Sequence, residues 1–259
     1  MESTILVQRD GAIATVVLNR PDKLNALTRG MWVRLGQVFD ELHADDELRC
    51  IVIRGAGTKA FAPGNDIAEF QTERANVEQG RAYGRDMRRT IESIGACRHP
   101  IVAQIHGICV GGGLEIAGLA DIRICGESSR FGVPINKLGL VMAHAEIGAL
   151  IALVGEATAL EILLEGRIFD AREAMAKGLV TRVVADDQVE AEAKATAQRI
   201  AGGAPLVARW HKKFARRLRD AAPLSEAESD EGFACFGTED FRIGYQAFLA
   251  KQRPEFKGE

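Results

Sequence analysis

Residues 101–118 read IVAQIHGICVGGGLEIAG, and the architecture follows from them. Residues 101–105 are a short apolar run of strand length. Gly107 interrupts it, and Gly111-Gly112-Gly113 opens a helical pattern that reaches about Gly118. A second apolar run at 122–125 follows at once. The unit is therefore strand, glycine turn, helix, strand. The same order appears upstream. Residues 50–54 make an apolar strand, and Gly55 to Asp66 make a loop with three Gly and one Pro. Residues 67–97 then carry a long polar helical pattern that Pro100 ends. Strands alternating with helices predict an α/β chain with crossover connections.

Residues 5–8 and 13–18 read as two strands around Asp10-Gly11, a hairpin signal. Thr28 is placed to cap a helix running to about Asp45, with Met31, Leu35, Val38, Phe39 and Leu42 on one face. From 144 the chain turns mostly helical. Asp170-x-x-Glu173 and Ser225-x-x-Glu228 have the capping-box pattern. Residues 180–184 supply a last strand, and only helices are expected from Gly202-Gly203 to about Ala250. A soft boundary near 200 divides an α/β core, residues 1–200, from a helical region, residues 201–259.

The 259 residues hold 33 Lys and Arg against 36 Asp and Glu, a net charge of −3. Such a balance argues against a broad nucleic-acid surface and against general attraction to anionic membranes. No apolar run approaches the ~18 residues of a membrane span. Residues 1–7 lack the basic-then-apolar pattern of a signal peptide. Five cysteines, none in a CxxC pair, argue against structural zinc and a disulfide framework. Reduced thiols and a cytoplasmic location are expected. The basic run from Arg209 to Arg219 accompanies Val207, Trp210, Phe214 and Leu218 at helical spacing. It reads as the solvated face of an amphipathic helix.

Two segments carry candidate chemistry. Gly111-Gly112-Gly113-Leu114-Glu115 exposes backbone N–H groups where a helix begins, a place suited to an oxyanion. Glu115 falls three residues beyond Gly112, on the same side one turn on. A carboxylate beside an oxyanion donor is an acid/base next to a polarised substrate. Close packing of a helix on a sheet would use the same glycines. Ala60-Phe61-Ala62-Pro63-Gly64-Asn65-Asp66-Ile67 also follows a strand and could offer a second N–H, or be a plain turn.

Together with residues 18–27, LNRPDKLNAL, these segments resemble the crotonase, or enoyl-CoA hydratase/isomerase, superfamily. Asp121-Ile122-Arg123, Phe131-Gly132-x-Pro134 and Ala174-x-x-x-Gly178-Leu179-Val180 extend the likeness over essentially the whole chain. The resemblance implies a spiral of ββα units followed by a C-terminal helical region that builds trimers, often paired as hexamers. It implies an acyl-CoA thioester substrate, with no metal or redox cofactor; coenzyme A enters as part of the substrate. The N–H groups of Asn65 and Gly112 would form the oxyanion hole, stabilising an enolate, and Glu115 would be a catalytic acid/base. Lys23, Leu24, Ala62, Asn65, Asp66, Ile67 and Ala68 would meet CoA. Phe256 and Lys257 would reach a neighbouring subunit's CoA.

One departure matters. The two-glutamate hydratases of this family place their second glutamate directly after the Pro of Phe-Gly-x-Pro. Here Ile135 follows Pro134, and an apolar side chain moves no proton. His144 is the first candidate substitute, since an imidazole titrates near neutral pH, with Glu146 beside it. Asn136 and Lys137 could meet a polar acyl substituent. Isomerisation, dehydration, decarboxylation or hydrolysis are alternative reactions. A non-catalytic CoA- or RNA-binding role is another.

Overall fold

The computed structural model describes residues 3–259; Met1 and Glu2, part of the stretch read for a targeting signal, lie outside the described residues. β1 (Ile5–Asp10) and β2 (Ile13–Leu18) form an antiparallel hairpin. It turns at Gly11, whose φ of +56° suits glycine. α1 (Arg29–Ala44) follows, and the Thr28 hydroxyl accepts from the Met31 N–H at its start. The chain then repeats one plan: a strand in a large sheet, a strand in a small sheet, a helix. The first round is β3 (Cys50–Gly55), β4 (Ala60–Ala62), the short α2 (Phe70–Glu73) and α3 (Val77–Ala96). The second is β5 (Ile101–Ile105), β6 (Ile108–Val110) and α4 (Gly112–Gly118). The third is β7 (Ile122–Gly126), β8 (Arg130–Gly132), α5 (His144–Val154) and α6 (Glu156–Glu165). β9 (Phe169–Asp170), α7 (Ala171–Ala176), β10 (Arg182–Val184) and α8 (Val189–Ala201) close the core. α9 (Pro205–Arg217), α10 (Glu226–Asp230) and α11 (Glu239–Ala250) complete the chain.

The large sheet runs β1-β2-β3-β5-β7-β10 and is parallel beyond its first hairpin. The small sheet runs β4-β6-β8-β9 and is parallel until β9. Parallel neighbours need crossovers, so each round returns through a helix, giving the spiral of ββα units. Alternation along β3 shows how the large sheet is covered on both faces. Ile51 and Ile53 join the main core with Trp32, Phe39, Tyr83 and Leu114, while Cys50 and Val52 pack with Ala193 and Ala197 of α8. No helix among the described residues is long and apolar enough to cross a membrane.

Several expectations change. The helical pattern of 67–97 is broken before Val77, where the Asn76 carboxamide caps α3 by accepting from the Gln79 N–H. β6 and β8 are hidden in glycine-rich sequence. The Asp170 cap forms, but the Glu173 carboxylate turns to Arg167 instead of closing a box. The basic face of α9 is only partly solvated: His211 and Lys213 are exposed, but two of its cations turn inward. Lys212 is buried against Asp121 at 2.7 Å, and Arg216 donates to the Gly95 and Cys97 carbonyls. The cause is the C-terminus of α3, whose unpaired carbonyls call for cationic donors. Asp121 in turn accepts from the Ile101 N–H at 2.7 Å, so one carboxylate joins β5 to α9.

Candidate active site

β4 and β6 are parallel neighbours, so the loops leaving their C-terminal ends emerge on one edge. After Ala62 the chain runs Pro63-Gly64-Asn65; after Val110 it runs Gly111-Gly112-Gly113. The two loops touch at a distance only glycine allows. A Cβ on Gly113 would stand 2.2 Å from the Ala62 carbonyl oxygen, and one on Gly64, at φ +108°, would stand 3.3 Å from the Gly112 nitrogen.

Asn65 is held on both sides. The Trp32 indole N–H donates to its Oδ1 at 2.7 Å. The Leu27 N–H donates to the Gly64 carbonyl at 2.9 Å, and the Asp66 N–H donates to the Leu27 carbonyl at 2.8 Å. This pairing skips the Asn65 N–H. Neither it nor the Gly112 N–H has an acceptor among the described residues. Both residues line a cavity of about 450 Å³. Glu115, Glu146, Arg74, Phe70, Met87, Ile135 and Val141 line it too.

The Glu115 Oε2 is buried with no hydrogen-bond partner. Burial, reinforced by the neighbouring Glu146 carboxylate, pushes its pKa up to about 8, with Arg74 opposing. Glu146 is also raised by burial, but the Ala143 N–H donates to it at 2.8 Å and favours its charge, as does Arg74. Two carboxyls in one cavity thus sit in different surroundings, one unpartnered and one hydrogen-bonded. Asp66 is different again. Burial would raise it, yet the Ala68 N–H and Arg20, 3.0 Å away, hold it below the ordinary carboxylate value.

Of the residues singled out from the sequence, the cavity gathers Asn65, Asp66, Ile67, Gly112 and Glu115. His144 is not among them. It is exposed at the first position of α5, and Glu146 two residues on turns to the cavity instead. Ile135 does occupy the wall, packed on the core. Asn136 faces away, donating to the Leu164 carbonyl, and Lys137 is exposed. Ala62 is fully buried. Lys23, Leu24 and Ala68 lie outside the lining. Phe256 and Lys257 lie outside the lining of this chain's own cavity, and their backbone is held by other residues of the chain. Arg49 donates to the Phe256 carbonyl, and the Lys257 N–H donates to the buried Asp240. Trp32, Phe70, Arg74 and Met87 did not stand out in the sequence. Asn76-x-x-Gln79, a start signal just past Arg74, marks where the helical pattern breaks and this wall begins.

A family model described as enoyl-CoA hydratase/isomerase matches residues 8–259. A protein named "Probable enoyl-CoA hydratase echA8" from Mycobacterium bovis is 36% identical, covering 98% of this chain and 97% of its own. A short-chain-enoyl-CoA hydratase of Clostridium acetobutylicum is 31% identical over 98% of this chain and 97% of its own. The crystal structure of an enoyl-CoA hydratase/carnithine racemase from Magnetospirillum magneticum superposes with a TM-score of 0.98 at 53% identity, covering 100% of this chain and 97% of that one.

Proposed function

Since the chain belongs to the enoyl-CoA hydratase/isomerase family, we propose that it adds water reversibly across the double bond of a 2-enoyl-CoA, using Glu115 and Glu146 as its two carboxyls. The observation that carries this reading is the presence of Glu146 in the cavity beside Glu115, although Ile135 fills the usual second position. The thioester oxygen would accept from the Asn65 and Gly112 N–H groups as negative charge develops on it. One such donor is typically worth ~3–4 kcal/mol in the transition state. Of the two carboxyls Glu115 is the one that favours its proton, because burial and then Glu146 push its pKa up to about 8, while the Ala143 N–H and Arg74 favour the charged form of Glu146. The ionised carboxylate takes a proton from water as its oxygen bonds to the β-carbon. The carboxylic acid gives its proton to the α-carbon, so the pair ends with the proton exchanged between its members. CoA would be carried as part of the substrate, past Asp66 and Ile67. Assembly as a trimer or a dimer of trimers in the cytoplasm fits this reading. The exposed Phe233, Phe236, Phe248 and Leu249 of the C-terminal helices favour such assembly.

Incubation with crotonyl-CoA, following loss of the conjugated thioester absorbance, tests the reading. The unaltered protein should form 3-hydroxybutyryl-CoA, and Glu115→Gln and Glu146→Gln should each slow turnover by roughly 10²–10⁴. Full activity in Glu146→Gln would remove the two-carboxyl mechanism. No hydration by the unaltered protein would turn the assignment to isomerisation or another reaction needing a single carboxyl.

A further inference from the structure

The cavity holds a cation, the Arg74 guanidinium, with no ion-paired or hydrogen-bonded partner among the described residues. Arg74 lines it next to Phe70. Its guanidinium lies 4.9 Å from the Phe70 ring centre and 4.8 Å from that of the fully buried Tyr83. Among the described residues Arg74 makes no ion pair, while each nearby acid on α2 and its flanks has another partner. Glu73 pairs with Arg29 at 2.8 Å, Glu69 accepts from the Arg29 N–H at 2.8 Å, and Asp66 pairs with Arg20. Two aromatic faces thus orient a planar, permanently charged fork while leaving its N–H edges unmatched. Such a fork fits a carboxylate in two parallel hydrogen bonds.

Arg74 also acts on the Glu115 and Glu146 carboxyls together, favouring the charged form of each. All three side chains line the same cavity. Building on the acyl-CoA assignment above, we propose that Arg74 is a specificity residue that selects acyl chains bearing a distal carboxylate. A chain ending in a quaternary ammonium would meet a like charge there and be disfavoured. The same fork could instead take a phosphate of CoA, and the experiment separates these anions.

Saturated thioesters cannot be hydrated, so their affinities can be read without turnover. Calorimetry with succinyl-CoA, butyryl-CoA and free CoA would be done on the unaltered protein, Arg74→Gln and Arg74→Lys. Succinyl-CoA should bind about 10- to 100-fold tighter than butyryl-CoA, the range of a charged hydrogen-bonded pair. Arg74→Gln should lose that preference and Arg74→Lys should keep part of it. Equal affinity for the two thioesters in the unaltered protein would overturn the proposal. So would an Arg74→Gln loss as large for free CoA as for succinyl-CoA, which would assign the fork to a phosphate. Failure to hydrate crotonyl-CoA would sink the hydratase reading yet leave this binding comparison intact.

Discussion

Replacing Glu115 by Gln should make the protein more stable at alkaline pH, and the size of the gain follows from its surroundings. In the unfolded chain the carboxyl titrates near its ordinary value of 4.5; in the fold, burial and then Glu146 move it to about 8. Between those values the folded chain binds more protons than the unfolded one, so stability falls as pH rises. The contribution is whole below about 4.5 and lost above about 8. At ~1.4 kcal/mol for each pH unit, the full window corresponds to about 5 kcal/mol. Water entry and local relaxation reduce the cost of a buried charge, so roughly 2–5 kcal/mol is expected. Gln keeps the shape and never ionises. Thermal melts of both proteins should therefore nearly coincide at pH 5, with the Gln variant melting roughly 4–10 °C higher at pH 9. Titrating groups that do not interact with Glu115 are common to both proteins and cancel in the difference; Glu146, which does interact with it, belongs to the difference being read. A difference that stays flat from pH 5 to 9, or that favours Glu at pH 9, would refute the buried, unpartnered carboxyl.

Catalysis should show the same group from the other side. If the acid form must protonate the α-carbon, kcat/KM for crotonyl-CoA should fall as pH rises through about 8, and Glu146→Gln should move that limb downward, since Glu146 helps raise Glu115. Gly113→Ala would place a methyl 2.2 Å from the Ala62 carbonyl oxygen, a backbone atom that cannot swing aside. It should cost at least ~2–3 kcal/mol in denaturant melts and lose thioester binding, because the same shift parts Gly112 from Asn65.

How much of this was legible in the sequence depended on whether the signal was local. The strand and helix order of residues 50–126 could be read, because apolar runs and glycines punctuate it. So could the Thr28 cap and the Ser225 box, each a contact within one turn. The short strands β6 and β8 could not, since three residues carry no period and each exists only through its neighbours in the small sheet. The burial of Lys212 was equally hidden. Its reason lies in Asp121 and the His99 carbonyl, which are distant in sequence. Of the site, the glycine loops and Glu115 were visible because backbone exposure demands glycine at fixed spacing. Arg74 looked like any cation on a polar helix. Only the fold shows that its neighbours' acids are spoken for and that aromatic rings lie beneath it.

Ile135, where the resemblance leads one to expect a glutamate, is best understood together with Glu115. The apolar Ile135 side chain moves no proton, and it lines the cavity in which the Glu115 carboxyl is buried. Burial is the leading cause of the rise to about 8. A carboxyl held neutral at pH 7 is a competent acid but a poor base. On the hydration reading proposed above, the base needed is the other carboxyl of the cavity, whose charged form the Ala143 N–H and Arg74 favour although burial raises it. Glu146 meets that need better than His144 would. It sits in the first turn of α5, where the helix dipole favours negative charge, and the Ala143 N–H fixes one of its oxygens. His144, at the first position of the same helix, is exposed and does not line the cavity. With Glu146 at a helix start, the proposed hydration would have a pair of unequal acids, the arrangement that acid–base addition to a double bond uses.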